Sequence, residues 1–545
     1  MSQLLYPDFF NNVFGPIMQP GSSDCFAGTA RIGNIARALA KGHPKKVRFL
    51  FNRRGNGLAY LVNFMSDKGY LGGVQGFLPE DERLFEAHTL ARQNDLFYDF
   101  NFLETENVYD DSVQIDIETA KGEKVTLTAT SIGGGMIITH EINGFKIEWQ
   151  SDTYGVLIED DTNSITDTQI EQLKESLGDA LVDSNKLYKE KNITGYFLEL
   201  SREVPEDTFY LNISRSNTIR ISRLPALMPV ITKKDKKPQL FKTVDEWRQV
   251  AQERRISFVQ AAIEYEKDSS GWSEQEIWDF FENIADILYQ QIHSLEKIGY
   301  ENAKDTSLLP VYGKNWNEYL KKGIKLSDDL TNHIIIHALS TNAKLPGVKI
   351  VPAPMGTGGG YLFSALDAVR EKKGYSHEKL IEALIVAAAL GAIAYTHTNA
   401  SGNVGCVGES GICCAMAAGA VTWIAGGDGK QVENAASMAL QANIGIPCDP
   451  ISGGLEFPCI TRTIRAAVTA PLYADLSLSG IDPLIPYHEL LILIEQNYRT
   501  SDKTKLSGSK CGCNLTPTAG KCQAWLEGVS LELLHYADDK GSVRP

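Results

Sequence analysis

Apolar and polar residues repeat with two different periods along this chain, and the change of period divides it. Up to about residue 232 short runs of period two dominate. They are KKVRFLF (45–51), VQIDIET (113–119), KVTLTAT (124–130), MIITHEI (136–142), YGVLIED (154–160), ITGYFLELS (193–201), FYLNIS (209–214) and TIRIS (218–222), each reading as a strand. Among them Ile32, Ile35, Ala36 and Leu39 share one face of a helix over Thr29 to Lys41, and Thr166 caps another running through QIEQLKESLGDAL. After the charged, Pro-containing KKDKKPQ (233–239) the helical period takes over. It runs through Val244 to Glu266, Glu274 to Lys297, His377 to Tyr395, Ile412 to Ile424 and Val432 to Ala442.

This pattern predicts an α+β domain over residues 1–150, a small α+β segment over 151–232 and an all-α domain over 240–545. The strand–helix–strands order of the middle segment resembles an ACT-type regulatory module, although no second helix is evident in it.

Composition narrows the function. Hydrophobic residues at 43% and charged residues at 22% are ordinary for a globular protein. A net charge of -15 argues against nucleic acid and against an anionic membrane surface as partners. The first residues lack the basic and apolar regions of an export signal. The longest apolar run, IVAAALGAIA (385–394), is too short to cross a bilayer. With nine cysteines and no such signal, reduced thiols in the cytoplasm are expected, serving metal binding or catalysis.

Three of those thiols sit at turn-like breaks. Cys406 lies between Gly405 and Gly408, Cys448 between Pro447 and Asp449-Pro450, and Cys459 after Pro458; the glycine turn Ser452-Gly453-Gly454 separates the last two. Thiolates on loops beside helix ends suit iron or zinc, and three of them on one Fe–S cluster leave an iron open as a Lewis acid. Spacing alone leaves buried packing thiols as the other reading. Cys413 and Cys414, at the start of an Ala-rich helix, read as packing residues.

Longer motifs carry a resemblance. GPIMQPGSSDCFAGTARIG (15–33) matches GPxMxGPSSSHTxGxxRIG without gaps, and GYLGGVQGFLPEDER (69–83), TSIGGG (130–135), IVPAPMGTGGG (350–360), GCVGESG (405–411) and CDPISGGLEFPC (448–459) follow in family order. The chain thereby resembles the iron–sulfur-dependent bacterial L-serine dehydratases, with the β part, ACT-like segment and α part fused. The resemblance implies a [4Fe–4S] cluster on Cys406, Cys448 and Cys459, conversion of L-serine to pyruvate and ammonia, and a homodimer. It implies Asp24, Cys25 and Glu409 as acid–base candidates. It also puts Ser22, Ser23, Thr357, Gly358 and Gly359 at the amino-acid substrate, with the Gly356–Gly360 backbone near its carboxylate. Glu409 also reads as a carboxylate favoured near a helix N-terminus, and the glycines as a plain turn.

The motifs also depart from the family pattern. Cys25 stands for the histidine of SSSHT and Phe26 for its threonine, while Met355 and Gly358 replace the threonine and serine of APTxGS. These changes leave open a different amino acid, a desulfhydrase-type elimination, or an amino-acid-binding protein. Cys511, Cys513 and Cys522 lie where some members bring a C-terminal cysteine to the cluster; surface thiols are the alternative for at least two of them.

Overall fold

The computed structural model describes residues 6–53, 61–62, 64–105, 107–109, 111–189, 193–233, 237–303, 310–451, 457–508, 510–527 and 535–536. The chain divides into two units, Met1–Ser23 with Lys237–Val529, and Asp24–Lys236 with Ser530–Pro545.

In the second of these, the period-two runs form two sheets. The elements α1 (Thr29–Leu39), β1 (Pro44–Phe51), α2 (Ser66–Val74), α3 (Ala87–Gln93) and β2 (Phe97–Phe102) lead into β3 (Val113–Thr119), β4 (Lys124–Gly133), β5 (Met136–Ile142) and β6 (Phe145–Trp149). With β11 (His535–Tyr536) at one edge the order is β11-β2-β1-β3-β4-β5-β6; β1 runs parallel to β2 and antiparallel to β3. Alternation places Val113, Ile115 and Ile117 in the core. Helix α1 meets α2 backbone to backbone. A Cβ on Gly73 would stand 2.2 Å from the Ala30 carbonyl oxygen, and one on Gly69 1.9 Å from Thr29 Oγ1. The glycines of GYLGGV are therefore explained by helix packing.

The second sheet follows as β7 (Tyr154–Asp160), α4 (Asp167–Leu177), β8 (Leu181–Lys189), β9 (Ile193–Leu200), α5 (Glu206–Tyr210) and β10 (Ile219–Leu224), in the order β10-β7-β9-β8 with antiparallel neighbours throughout. This βαββαβ order is the ferredoxin-like one that ACT modules use. Thr166 and Gln169 form a reciprocal capping box on α4, worth about 1 kcal/mol. The FYLNIS run corrects the sequence reading: its first residues end helix α5. Pro205 precedes that helix, Glu206 and Asp207 fill its first turn, and Phe209 and Ile213, four apart, enter the same core. It supplies the second helix that the strand pattern concealed.

The other unit is helical. Its elements are α6 (Val244–Arg254), α7 (Phe258–Ser270), α8 (Glu274–Ile292), α9 (Ser294–Ile298), α10 (Tyr312–Lys321), α11 (Asp329–Asn342), α12 (Gly358–Lys373), α13 (His377–His397), α14 (Ser410–Ile424), α15 (Gly429–Gln441), α16 (Cys459–Leu478) and α17 (Tyr487–Thr500). The expected helix from Val244 to Glu266 is two helices, because Arg255 turns left-handed (φ 56°) and Ser257 caps α7. Helix α14 packs against α12, α13, α15 and α16. Both α13 and the run Cys406–Ile424 are long and apolar enough to cross a membrane, yet 78% and 89% of their apolar windows are buried inside the protein, as interior helices are. Residues 6–23 fold with this unit: Phe9 stacks on Tyr265, and Phe10 packs against Trp272, Phe280 and Phe281.

Candidate functional site

Cys406 opens a short turn just before α14, with its Sγ 2.9 Å from Ser410 Oγ. Gly405, at φ +100°, makes the approach that this turn requires: a Cβ there would stand 2.8 Å from the Ile446 carbonyl oxygen, which instead accepts the Cys406 N–H at 2.9 Å. That bond ties the Cys406 turn to the loop carrying Cys448. Cys459 begins α16, and one turn on Arg462 reaches back to the Pro447 carbonyl at 2.8 Å and to Asp449 Oδ1. Each cysteine is thus fastened to the chain around Cys448. Between the last two, residues 452–456, with the Ser452-Gly453-Gly454 turn, lie outside the described residues.

The electrostatics agree. Burial pushes the Cys448 thiol well above its ordinary range, and the charges of Glu409, Cys459 and Cys406 push it further. Glu409 Oε2 lies 3.9 Å from Cys448 Sγ. A side chain on Gly402 would fill the space between: its Cβ would stand 2.8 Å from Cys448 Sγ and 3.3 Å from Glu409 Oε2. The structure therefore gathers Cys406, Cys448, Cys459 and Glu409, spread over 54 residues of sequence, into one place.

Sequence reasoning missed Tyr395, near the end of α13. Its hydroxyl is buried without a hydrogen-bond partner, and burial, with the charge of Glu409, holds it neutral. No motif marks it; only folding sets α13 beside the start of α14.

The C-terminal segment wraps the Cys448 loop. Cys448 N–H donates to Leu506 O at 2.8 Å, Gly508 N–H to Cys448 O at 3.1 Å, Cys513 N–H to Asp449 Oδ2 at 2.6 Å, and Asn514 Nδ2 to Pro450 O at 3.1 Å. Cys511 is buried there, its Sγ 3.7 Å from Cys448 O, whereas Cys513 and Cys522 are half-exposed. Cys413 and Cys414 are core thiols: Cys413 donates to Gly358 O at 3.3 Å, and burial lifts Cys414 to about 11.

The two segments expected at the substrate meet in the same helical unit. Met18 and Ile350 exchange backbone hydrogen bonds of 3.0 and 2.8 Å, and a Cβ on Gly356 would stand 2.3 Å from Gly21 O. Ser22 is half-buried and Ser23 and Thr357 are buried. The glycine loop is close-packed: Gly358 N–H bonds Met355 O at 2.8 Å and Gly359 N–H bonds Val351 O at 3.1 Å. Those two N–H groups are committed within the loop.

Asp24 and Cys25 belong to the sheet-bearing unit. Burial raises the Asp24 carboxyl against a hydrogen bond from Ser131, whose Oγ also reaches Asp24 O at 2.9 Å. Cys25 O accepts Thr29 Oγ1 at 2.8 Å, and Asp24 and Cys25 together raise the already buried Tyr70 hydroxyl. Gly133, Gly134 and Gly135, all at positive φ, form the TSIGGG turn beside them, and Arg31 Nη1 donates to Gly135 O at 2.6 Å.

Comparison with known proteins gives the chain its relatives. Residues 253–514 match the family described as serine dehydratase alpha chain. The α chain of L-serine dehydratase from Peptoniphilus asaccharolyticus is 27% identical over 284 residues, 50% of this chain and 96% of that one. The β chain of that enzyme is 32% identical over 148 residues, 27% of this chain and 66% of its own length. The chain belongs to the L-serine dehydratase family. The family's β and α parts are joined here in one polypeptide, an enzyme of the ammonia-lyase class. The L-serine dehydratase TdcG of Escherichia coli is 34% identical over 191 residues, which span 33% of this chain and 42% of TdcG.

Proposed function

We propose that this dehydratase-family chain converts L-serine, or a close relative, to pyruvate and ammonia, using a [4Fe–4S] cluster held by Cys406, Cys448 and Cys459. The observation that carries the reading is the convergence of those three thiols and Glu409 on one spot of the unit that matches the α chains.

The donors fit the group. Three soft sulfur ligands select iron–sulfur chemistry over hard cations. Among the described residues, the trio of His, Cys, Asp or Glu donors lying within 4.8 Å of one another is His293, Asp367 and Glu371, not the cysteines. A tetrahedral ion with bonds of about 2.3 Å holds its sulfurs about 3.8 Å apart, whereas a cluster spreads them over separate irons. Buried Cys448 resists ionisation on its own, so to serve as a thiolate ligand it would have to give up its proton in favour of a cationic group beside it. Bound there, the cluster would supply Lewis acidity toward the hydroxyl that leaves the substrate.

The protein's own groups do the rest. Glu409 Oε2 is positioned to take the proton from the α-carbon, and the neutral Tyr395 hydroxyl to donate one. Gly402 keeps open the space between Glu409 and Cys448. Because the N–H groups of Gly358 and Gly359 are committed to the loop, the hydroxyls of Ser22, Ser23 and Thr357 fall to the substrate carboxylate. The family precedent supports a cytoplasmic homodimer.

Anaerobic reconstitution with iron and sulfide, followed by pyruvate and ammonia assays on a panel of amino acids, tests this. Brown protein absorbing near 400 nm and turning over serine is expected. Colourless, iron-free protein that binds amino acids without consuming them would sink it.

A further inference from the structure

Away from the cysteines, helices α11 and α12 each carry a pair of metal-type donors four residues apart, and so on one helix face: His333 and His337, Asp367 and Glu371. The C-terminal cap of α8, His293, joins them. One donor atom each from His293, Asp367 and Glu371 lies within 4.8 Å of the others. The His337 ring stands 4.6 Å from that of His293 and 4.3 Å from that of His333.

The decisive feature is what these atoms lack. Asp367 is fully buried and its Oδ2 has no hydrogen-bond partner; His337 is 3% exposed and its Nδ1 has none. His293 Nε2 also makes no hydrogen bond; it faces Asp367 Oδ2 at 3.9 Å, an ion-pair distance with room between the two atoms. A buried carboxylate oxygen and an imidazole nitrogen that meet only at ion-pair range, beside the bare Nδ1 of His337, forgo hydrogen bonds worth about 1–3 kcal/mol each, which an ion between them would restore. The outer groups are arranged as metal sites arrange them. Glu296 Oε2 lies 3.3 Å from His293 Nδ1; a proton donated there leaves the Nε2 lone pair facing Asp367. Arg370 Nε holds Asp367 Oδ1 at 2.7 Å and so fixes the other oxygen inward. Glu371 is exposed, its Oε2 3.7 Å from His333 Nε2 and its Oε1 3.5 Å from Arg370 Nη2, and it gives an ion a way in.

We propose that His293, Asp367 and Glu371, with His337 as fourth donor, bind one divalent transition metal such as zinc. Tetrahedral bonds of about 2.1 Å place donors about 3.4 Å apart, so the atoms of His293, Asp367 and Glu371 close by up to about 1.4 Å, and the His337 ring, which lies outside that trio, moves in to join them. The mixed imidazole and carboxylate set is one that zinc and its neighbours accept and that soft copper(I) does not. The ion clamps α11, α12 and the end of α8 together, and so braces the helix whose first turn carries Gly358 and Gly359. This site is independent of the cluster reading.

Cobalt(II) titration of the chelator-treated full-length chain tests it, since thiolate-bound cobalt shows sulfur charge-transfer absorption and nitrogen–oxygen-bound cobalt does not. One equivalent with ligand-field bands and no sulfur charge transfer is expected. His337→Gln and Glu371→Gln should each weaken it at least about tenfold, leaving any sulfur band unchanged. The thermal midpoint should rise with metal in the wild type and not in the variants. Glu371 is exposed, so its substitution reports even if His337→Gln fails to fold. Absence of the sulfur-free band, or its survival unchanged in Glu371→Gln, would overturn the proposal.

Discussion

Glu409 and Cys448 stand 39 residues apart in sequence and 3.9 Å apart in space, carboxylate oxygen to sulfur. A charged base beside a metal-type thiol is an arrangement that separates chemistry from assembly. Glu409→Gln should therefore keep the brown colour and the iron while turnover falls about 10²–10⁴-fold, the usual worth of a positioned base. Cys448→Ser should lose both. Iron assay and pyruvate formation on the two variants check this, and full activity in Cys448→Ser would exclude the cluster.

Gly402→Ala places a methyl group where Cys448 and Glu409 face one another. Iron per chain and turnover should fall together, while thermal unfolding shifts by less than about 1 kcal/mol because the clash is with side-chain ends. Iron content measured beside a circular dichroism melt distinguishes this from general unfolding.

Tyr395→Phe removes a buried hydroxyl that has no partner. Loss of an unsatisfied polar group should stabilise the fold by about 1 kcal/mol, while kcat drops about 10–100-fold if that hydroxyl handles a proton. A variant both more stable and less active marks a group retained for function; unchanged kcat would remove Tyr395 from the mechanism.

Cys413→Ala tests the other side of the cysteine assignment. Its sulfur packs in the core and donates to Gly358 O, so the change should cost about 1–2 kcal/mol in denaturant unfolding and leave colour and iron intact. Loss of the cluster in this variant would mean that Cys413 was misassigned.

Glu199 gives the sheet-bearing unit a pH dependence. Burial raises its carboxyl to about 7, against the hydrogen bond from Thr153 Oγ1, which itself accepts Trp149 Nε1. The folded form then holds a proton that the unfolded chain has released, so this contribution is fully present below about pH 4.5 and is lost as pH rises through 7. Partial access to water reduces the full shift to about 1–2 kcal/mol. Glu199→Gln should flatten the stability profile across that window, read by Trp149 fluorescence during urea unfolding; an unchanged slope would mean that Glu199 ionises freely.

The sequence by itself determined the division into strand-rich and helical parts, because side-chain period is a local property and survives any packing. It also determined which cysteines sit on turns, since Gly405, Pro447 and Pro458 flank them whatever the fold. It misread FYLNIS, where Phe209 lies in helix α5 and Ile213 in the turn just after it, its N–H bonded to Phe209 O, but the apolar run between them imitates a strand. It left GYLGGV and the glycines of APMGTGG open, and only packing showed that a Cβ at Gly73 or Gly356 would strike a neighbouring carbonyl. Distances across the chain belong to tertiary structure alone. Nothing local marks Tyr395 as a neighbour of Glu409, or brings His293 toward Asp367 across 74 residues, because those approaches are set by how whole helices bury their apolar faces.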